Sequence, residues 1–171
     1  MKRKAGLIVN PIAGMGGKVG LKGTDGAEVL TRAILIGATP ESPCRAVRAL
    51  DRLAGLEDNL HFLTFPGEMG ESELALSGFD HTVIGSITPG DTTAEDTERA
   101  ARDIQAAGAE LLLFVGGDGT ARNIFNAVGD QVPVLGIPAG VKMHSGVFAI
   151  SPQAAAELAV RYLRGEIKLR Q

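Results

Sequence analysis

Five residues, Gly116-Gly117-Asp118-Gly119-Thr120, constrain this chain more than any other stretch. An uninterrupted apolar run, Leu111 to Val115, precedes them. A helical pattern follows, with Ala121, Ile124, Phe125 and Val128 expected on one face. A short apolar run that passes through glycine into a helix marks a parallel strand covered on both faces. In an open α/β sheet, ligands bind outside the carboxyl ends of the strands. A helix N-terminus there offers unpaired N–H groups and partial positive charge, which favour an anion. The glycines let backbone approach a phosphate closely. Asp118 puts a carboxylate in the middle of the turn, where it can hold Mg²⁺ or take a proton from an attacking hydroxyl. These parts point to phosphoryl transfer. The structural alternative is a tight strand-to-helix turn with Asp118 as the helix cap.

The rest of the chain repeats the strand-then-helix alternation. Strands are expected at Ala5 to Val9, Leu60 to Phe65, Thr82 to Ile84, Leu111 to Val115 and Val132 to Ile137. A helix is expected from about Ala27 to Ile36. A second opens at Ser42-Pro43, serine as cap and proline as first helical residue, and buries Val47, Leu50 and Leu53 or Ala54. A short helix covers Glu71 to Leu76, and Thr92-Thr93-Ala94-Glu95 reads as a capping box for another with Ala94, Thr97, Ala101 and Ile104 inward. Ser151-Pro152 starts the last helix, with Leu158, Ala159, Tyr162 and Leu163 inward. This alternation predicts an α/β three-layer sandwich with a mostly parallel sheet and Leu111 to Val115 near its centre.

Composition narrows the function classes. With 171 residues the chain suits one domain, and a net charge of −3 gives no basic footprint for nucleic acid. Cys44 is the only cysteine, so there is no internal disulfide; it reads as a buried small hydrophobe in a reducing compartment. The basic start, Met1 to Lys4, leads into an apolar run too short for a signal peptide. No stretch reaches the ~20 apolar residues of a membrane span. A cytoplasmic protein with no membrane partner is expected. The 23 glycines cluster at Gly14 to Gly26, Gly116 to Gly119 and Gly136 to Gly146. Each cluster follows a strand, so these loops are expected to converge at one edge of the sheet. His61 and His81 begin strands and read as structural, no His/Cys set has zinc spacing, and no GxxxxGK[ST] P-loop is present.

The stretch GGDGTARNIFNAVGDQVPVLGIPAG resembles the nucleotide site of the NAD kinase and diacylglycerol kinase superfamily. The opening LIVNPIAGMGGKVG resembles its first loop. GDTTAEDTERAARDI and AGVKMHSGVFAISP resemble more narrowly the ATP-NAD kinase branch of archaea and many bacteria, related to the AcoX proteins. The resemblance covers essentially the whole chain. It implies a Rossmann-like N-terminal domain over residues 1–165, with 166–171 as an exit segment toward a second, β-rich domain that carries half of the acceptor site. The isolated chain is then expected to bind nucleotide weakly. Lipid kinases of the superfamily have Asn-Glu just after GGDGT; here the run is Ala121-Arg122-Asn123, which counts against a lipid acceptor.

Residue roles follow from the same resemblance. Asp118 would be general base for the ribose 2′-hydroxyl of NAD, or would organise Mg²⁺. Gly116, Gly117 and Gly119 would bring backbone to the phosphates, and Thr120 would donate its hydroxyl to one or cap the helix. Asn10 and the loop Gly14, Gly16 and Gly17 would lie beside the donor phosphates. For Asn10 the alternative is a turn residue before Pro11. Lys18 would neutralise a phosphate or be solvated. Thr93, Glu95 and Asp96 would face the site or simply cap their helix. In the second glycine loop, with Gly140 and Ser145, Lys142 would contact a phosphate and His144 a ribose or base. The implied activity is an NAD kinase-type transfer from ATP or polyphosphate to NAD, giving NADP, in a homo-oligomer whose partners are small nucleotides. The alternatives are a lipid or other small-alcohol kinase on the same loop, and a non-catalytic nucleotide-binding fragment.

Overall fold

Five parallel strands form one sheet in the order β3-β2-β1-β4-β5. The computed structural model describes residues 1–15, 37, 39–140 and 142–168. The expected helix at Ala27 to Ile36, and Gly16, Gly17 and Lys18, lie outside the described residues. The strands are β1 (Arg3–Val9), β2 (Leu60–Thr64), β3 (His81–Val83), β4 (Leu111–Gly116) and β5 (Val134–Pro138). The helices are α1 (Ser42–Arg52), α2 (Glu71–Ser77), α3 (Ala94–Ala106), α4 (Asp118–Val128) and α5 (Pro152–Leu163), with a 3₁₀ turn at Gly67–Met69.

Side-chain alternation along the central strands builds two cores. On one face, Leu111, Leu113 and Val115 of β4 join Ala5, Leu7 and Val9 of β1 beneath α1, α2 and α5. On the other, Leu112 and Phe114 join Ile8 beneath α3 and α4. All six residues of β4 are buried, as an apolar strand between two helical layers must be. The middle strand is β1, with β4 beside it: Leu7 pairs with Thr64 on one side and Leu113 on the other. Gly6 in β1 is a close-approach residue, since a Cβ there would overlap the Ile104 side chain of α3.

The chain leaves β1 for the α1 face and β4 for the α4 face, so the direction of winding reverses between two adjacent strands. The turns after β1 and β4 therefore diverge and leave a crevice at the carboxyl end of the sheet.

Several sequence expectations are corrected. Ser42 is the first helical residue rather than the cap, and its buried hydroxyl donates to the Ala13 carbonyl at 3.0 Å. The capping box of α3 is shifted by one residue: Thr93 is the cap and Asp96 completes it, while Ala94 is exposed. Val47 and Tyr162 are only partly buried, and Ala54 is exposed. Leu158 faces outward, and α5 instead packs through Ala155, Ala156, Ala159 and Leu163. Those alanines let α5 lie close to Ala46 and Ala49 of α1. Phe125 is 64 % exposed, one step round α4 from the buried Ile124. Cys44 is exposed, not buried.

Glu73 of α2 is the unusual core residue. Its carboxyl is buried, Oε2 has no hydrogen-bond partner, and burial, aided by the nearby charge of Glu68, pushes its pKa up to about 7 against a bond to its own backbone. A carboxyl with a pKa raised on folding keeps its proton longer in the folded chain. Stability is then full below about pH 4.5 and falls as pH rises to about 7. The expected loss is on the order of 1–3 kcal/mol. Glu73→Gln should remove that fall, read as urea midpoints at pH 5 and pH 8. An equal fall in wild type and variant would show that Glu73 is not its source.

Candidate functional site

In the described residues, the turns after β1, β4 and β5 meet at one end of the sheet, through Asn10 and Thr120, Gly14 and Ala139, and Asp118 and Ser145. Asn10 follows β1, and its backbone N–H donates to the Val115 carbonyl at 2.9 Å. Its side-chain Nδ2 donates to Thr120 Oγ1 at 2.9 Å, and its Oδ1 accepts from Ile12 N–H at 3.2 Å. Asn10 is therefore both a turn residue and a tie between the first loop and α4. Gly14 holds φ at +81°, and a Cβ there would run into the Ala139 carbonyl, so the first loop also lies against the end of β5. Gly14 brings backbone to backbone.

GGDGT divides its labour. Gly116 closes β4, and a Cβ on it would overlap the Thr120 side chain. Thr120 is buried, with its hydroxyl accepting from Asn10, so it stitches the turn rather than capping the helix. Gly117 is the residue before α4 and has no side-chain cap bond; a Cβ there would meet only Met143 Sδ, at 4.0 Å. Asp118 is not the helix cap. Its carboxylate reaches across to the loop after β5, where Oδ1 accepts from Ser145 N–H at 2.8 Å and Oδ2 from His144 N–H at 3.0 Å. Burial alone would raise its pKa. The two amides outweigh that, with help from the charges of His144 and Arg122, and hold the carboxyl below its ordinary value. Asp118 is thus ionised at neutral pH. A carboxylate accepts at about four lone-pair positions, so further acceptor capacity remains.

Two cavities adjoin the first turns of α4. A crevice of about 400 Å³ occupies the point where winding reverses and is lined by Asn10, Ile12, Thr93, Gly119, Thr120 and Asn123, among others. The start of α3 opens into it, so Thr93 both caps α3 and faces the crevice, while Asp96 serves the cap and Arg99. An open groove of about 1220 Å³ runs along the outer face of α4 and is lined by Asp118, Ala121, Phe125, Val134, Ser145 and Tyr162, among others. The apolar face of α4 is divided: Ile124 and Val128 are buried in the core, while Ala121 and Phe125 line the groove.

The second glycine loop contributes mainly backbone. His144 is exposed and offers its N–H to Asp118, and Lys142 is exposed and lines neither cavity. Gly140 lies beside Met143, with a Cβ 3.3 Å from the Met143 methyl. Glu95 is exposed on the first turn of α3. His61 bonds Asp80 and Thr82, and His81 bonds the Phe79 carbonyl, both at the amino end of the sheet away from the crevice. Sequence reasoning missed Arg122 and Asn123 as lining residues. The signal was available: Arg122 lies four residues after Asp118, on the same helical face.

Among the described residues no cluster of three or more His, Cys, Asp or Glu could hold a metal, and no helix is long and apolar enough to cross a membrane. A protein-only metal cage is therefore not built from them. One carboxylate, that of Asp118 on the groove next to the crevice, does suit Mg²⁺, which commonly takes one or two protein carboxylates and completes its shell with phosphate and water.

The family description that matches this chain, over residues 5–167, is "ATP-NAD kinase N-terminal domain". No curated protein matches it.

Proposed function

We propose a specific reaction from the premise that this chain belongs to the ATP-NAD kinase family, as its N-terminal domain. Membership supports phosphoryl transfer of the NAD kinase type. The finer reading is transfer of a terminal phosphoryl group from ATP or polyphosphate to the adenosine-ribose 2′-hydroxyl of NAD, giving NADP. One observation carries it: a polar crevice and a longer, partly apolar groove adjoin the same first turns of α4, with the Asp118 carboxylate lining the groove.

The donor phosphates would lie in the crevice, against Gly119 and Thr120 and beside Asn10. Backbone N–H groups at the start of α4 are free of intrahelical partners and favour negative charge there. NAD would lie along the groove, its ring systems against Phe125 and Tyr162 and its ribose hydroxyl at Asp118. Mg²⁺, held by Asp118 and the donor, would neutralise phosphate charge. Asp118 would accept a hydrogen bond from the ribose hydroxyl and take its proton as the new P–O bond completes. Its low pKa makes it a weak base, so its main work is orientation and charge, in keeping with a loose transition state. The remaining half of the acceptor site would come from a second domain, in a homo-oligomeric cytoplasmic protein.

The full-length protein is expected to form NADP from NAD with ATP or polyphosphate. Phosphorylation of diacylglycerol and not NAD would overturn this reading in favour of a lipid kinase. No transfer to either, with nucleotide still bound, would favour a non-catalytic module. Residues 1–171 alone are expected to turn over NAD poorly. Robust NADP formation by them would show that no further acceptor-binding half is needed.

A further inference from the structure

Arg122 lines both cavities. It lies on α4 one turn after Asp118 and is exposed. Of the eight other described arginines, Arg3, Arg45, Arg52, Arg99, Arg102, Arg161 and Arg164 each reach a carboxylate within 4.0 Å, and Arg48, on α1 and lining neither cavity, does not. The charge of Arg122 acts on Asp118, but no side-chain hydrogen bond or ion pair within 4.0 Å joins Arg122 to another described residue. A cation is thus placed at the wall shared by crevice and groove, with none of its five N–H donors committed to a described residue.

We propose that Arg122 is a catalytic residue that contacts the transferring phosphoryl group as it passes from the donor in the crevice to the acceptor in the groove. This rests on the reading above, which places donor and acceptor in those two cavities. In the transfer, the acceptor hydroxyl oxygen forms a bond to the terminal phosphorus. The bond from that phosphorus to the donor's bridging oxygen breaks, and its electron pair stays on the donor. The hydroxyl proton goes to Asp118. Arg122 forms no covalent bond. Its planar fork binds two of the equatorial oxygens, where charge is spread in the transition state. A lysine would supply the charge without the fork. Asp118 and Arg122 divide the work: the carboxylate faces the hydroxyl, and the guanidinium faces the phosphoryl oxygens.

The test pairs turnover with phosphate binding in the full-length protein. Arg122→Gln should lower kcat for NADP formation about 10³-fold, the low end for an arginine supplied in cis. Arg122→Lys should recover part of it. Inorganic tripolyphosphate should bind Arg122→Gln more weakly than wild type by calorimetry, and Tm should be unchanged because the side chain is exposed. NADP formation by Arg122→Gln within two-fold of wild type would overturn the proposal while leaving the NAD kinase reading intact. If wild type makes no NADP, that reading fails, and tripolyphosphate then decides: weaker binding by Arg122→Gln keeps Arg122 as a phosphate contact, and equal binding removes it.

Discussion

Asp118→Asn in the full-length protein is expected to lower kcat by about 10²–10⁴, the usual cost of removing a group that handles a proton in the transition state. Asparagine keeps the size and one acceptor, but it cannot take a proton or offset the charge of Mg²⁺. It also turns an NH₂ toward one of the two backbone amides, His144 N–H or Ser145 N–H, that the carboxylate now satisfies. Hydrogen bonds to a charged group are worth about 1.5–3 kcal/mol, so some stability should go as well. The two roles separate in the measurements. If Asp118 acts in the chemistry, kcat at saturating NAD falls by orders of magnitude while Tm drops by only a few degrees. If it only anchors the loop after β5, Tm drops by the same few degrees and kcat stays within a few-fold of wild type. The latter result would leave GGDGT as a phosphate-binding turn.

Phe114→Ala should be among the most destabilising single changes in the described chain, by about 3–5 kcal/mol. Phe114 is fully buried in β4, and its ring meets that of Phe148 edge to face with centroids 5.3 Å apart. Gly136 of β5 leaves the space for this pair, since a Cβ there would strike both rings. Phe148 lies in the segment whose Gly136 bridge closes the open edge of β5. Removing the Phe114 ring therefore opens a cavity and loosens the chain that carries Ser145 toward Asp118. For a domain of this size the Tm should fall on the order of 10 °C. Urea unfolding that shows a loss under about 1 kcal/mol would mean the ring is not close-packed. Phe114→Leu, nearer in volume, should cost much less.

Much of the fold was legible because buried parallel strands announce themselves as uninterrupted apolar runs. Ala5 to Val9 and Leu111 to Val115 fall inside β1 and β4, and the described start of the first exit, Asn10 and Gly14, does meet Thr120 and Ala139. Periodicity was less reliable for faces. It grouped Phe125 with Ile124 and took Leu158 for a core residue, because it cannot tell a core-facing stripe from one that borders a groove. Cap assignment slipped by one residue at Thr92-Thr93, where each threonine has a carboxylate three residues on, Glu95 or Asp96, and only the folded backbone selects Thr93 with Asp96. Cys44 is small and sits in an amphipathic helix, so its exposure depended on the rotation of α1. The site's glycines and Asp118 were visible as a motif. Their partners were not, because Asn10 meets Thr120 across 110 residues and Asp118 meets Ser145 across 27, and no local pattern encodes either bond. Gly116 looked like a phosphate-approach glycine, yet its missing side chain makes room for Thr120.

The central claim is that phosphate binds where β1 and β4 diverge and that NAD lies beside it along α4. Backbone amide mapping by NMR tests this most directly, with inorganic tripolyphosphate and NAD added in turn to the full-length protein. The account predicts that tripolyphosphate shifts the amides of Gly117, Gly119 and Thr120, that NAD shifts Phe125 and Ser145, and that His61, Asp80 and Thr82 at the far end of the sheet stay still. Shifts confined to that far end, or none around Gly117 to Thr120 at saturating tripolyphosphate, would contradict it.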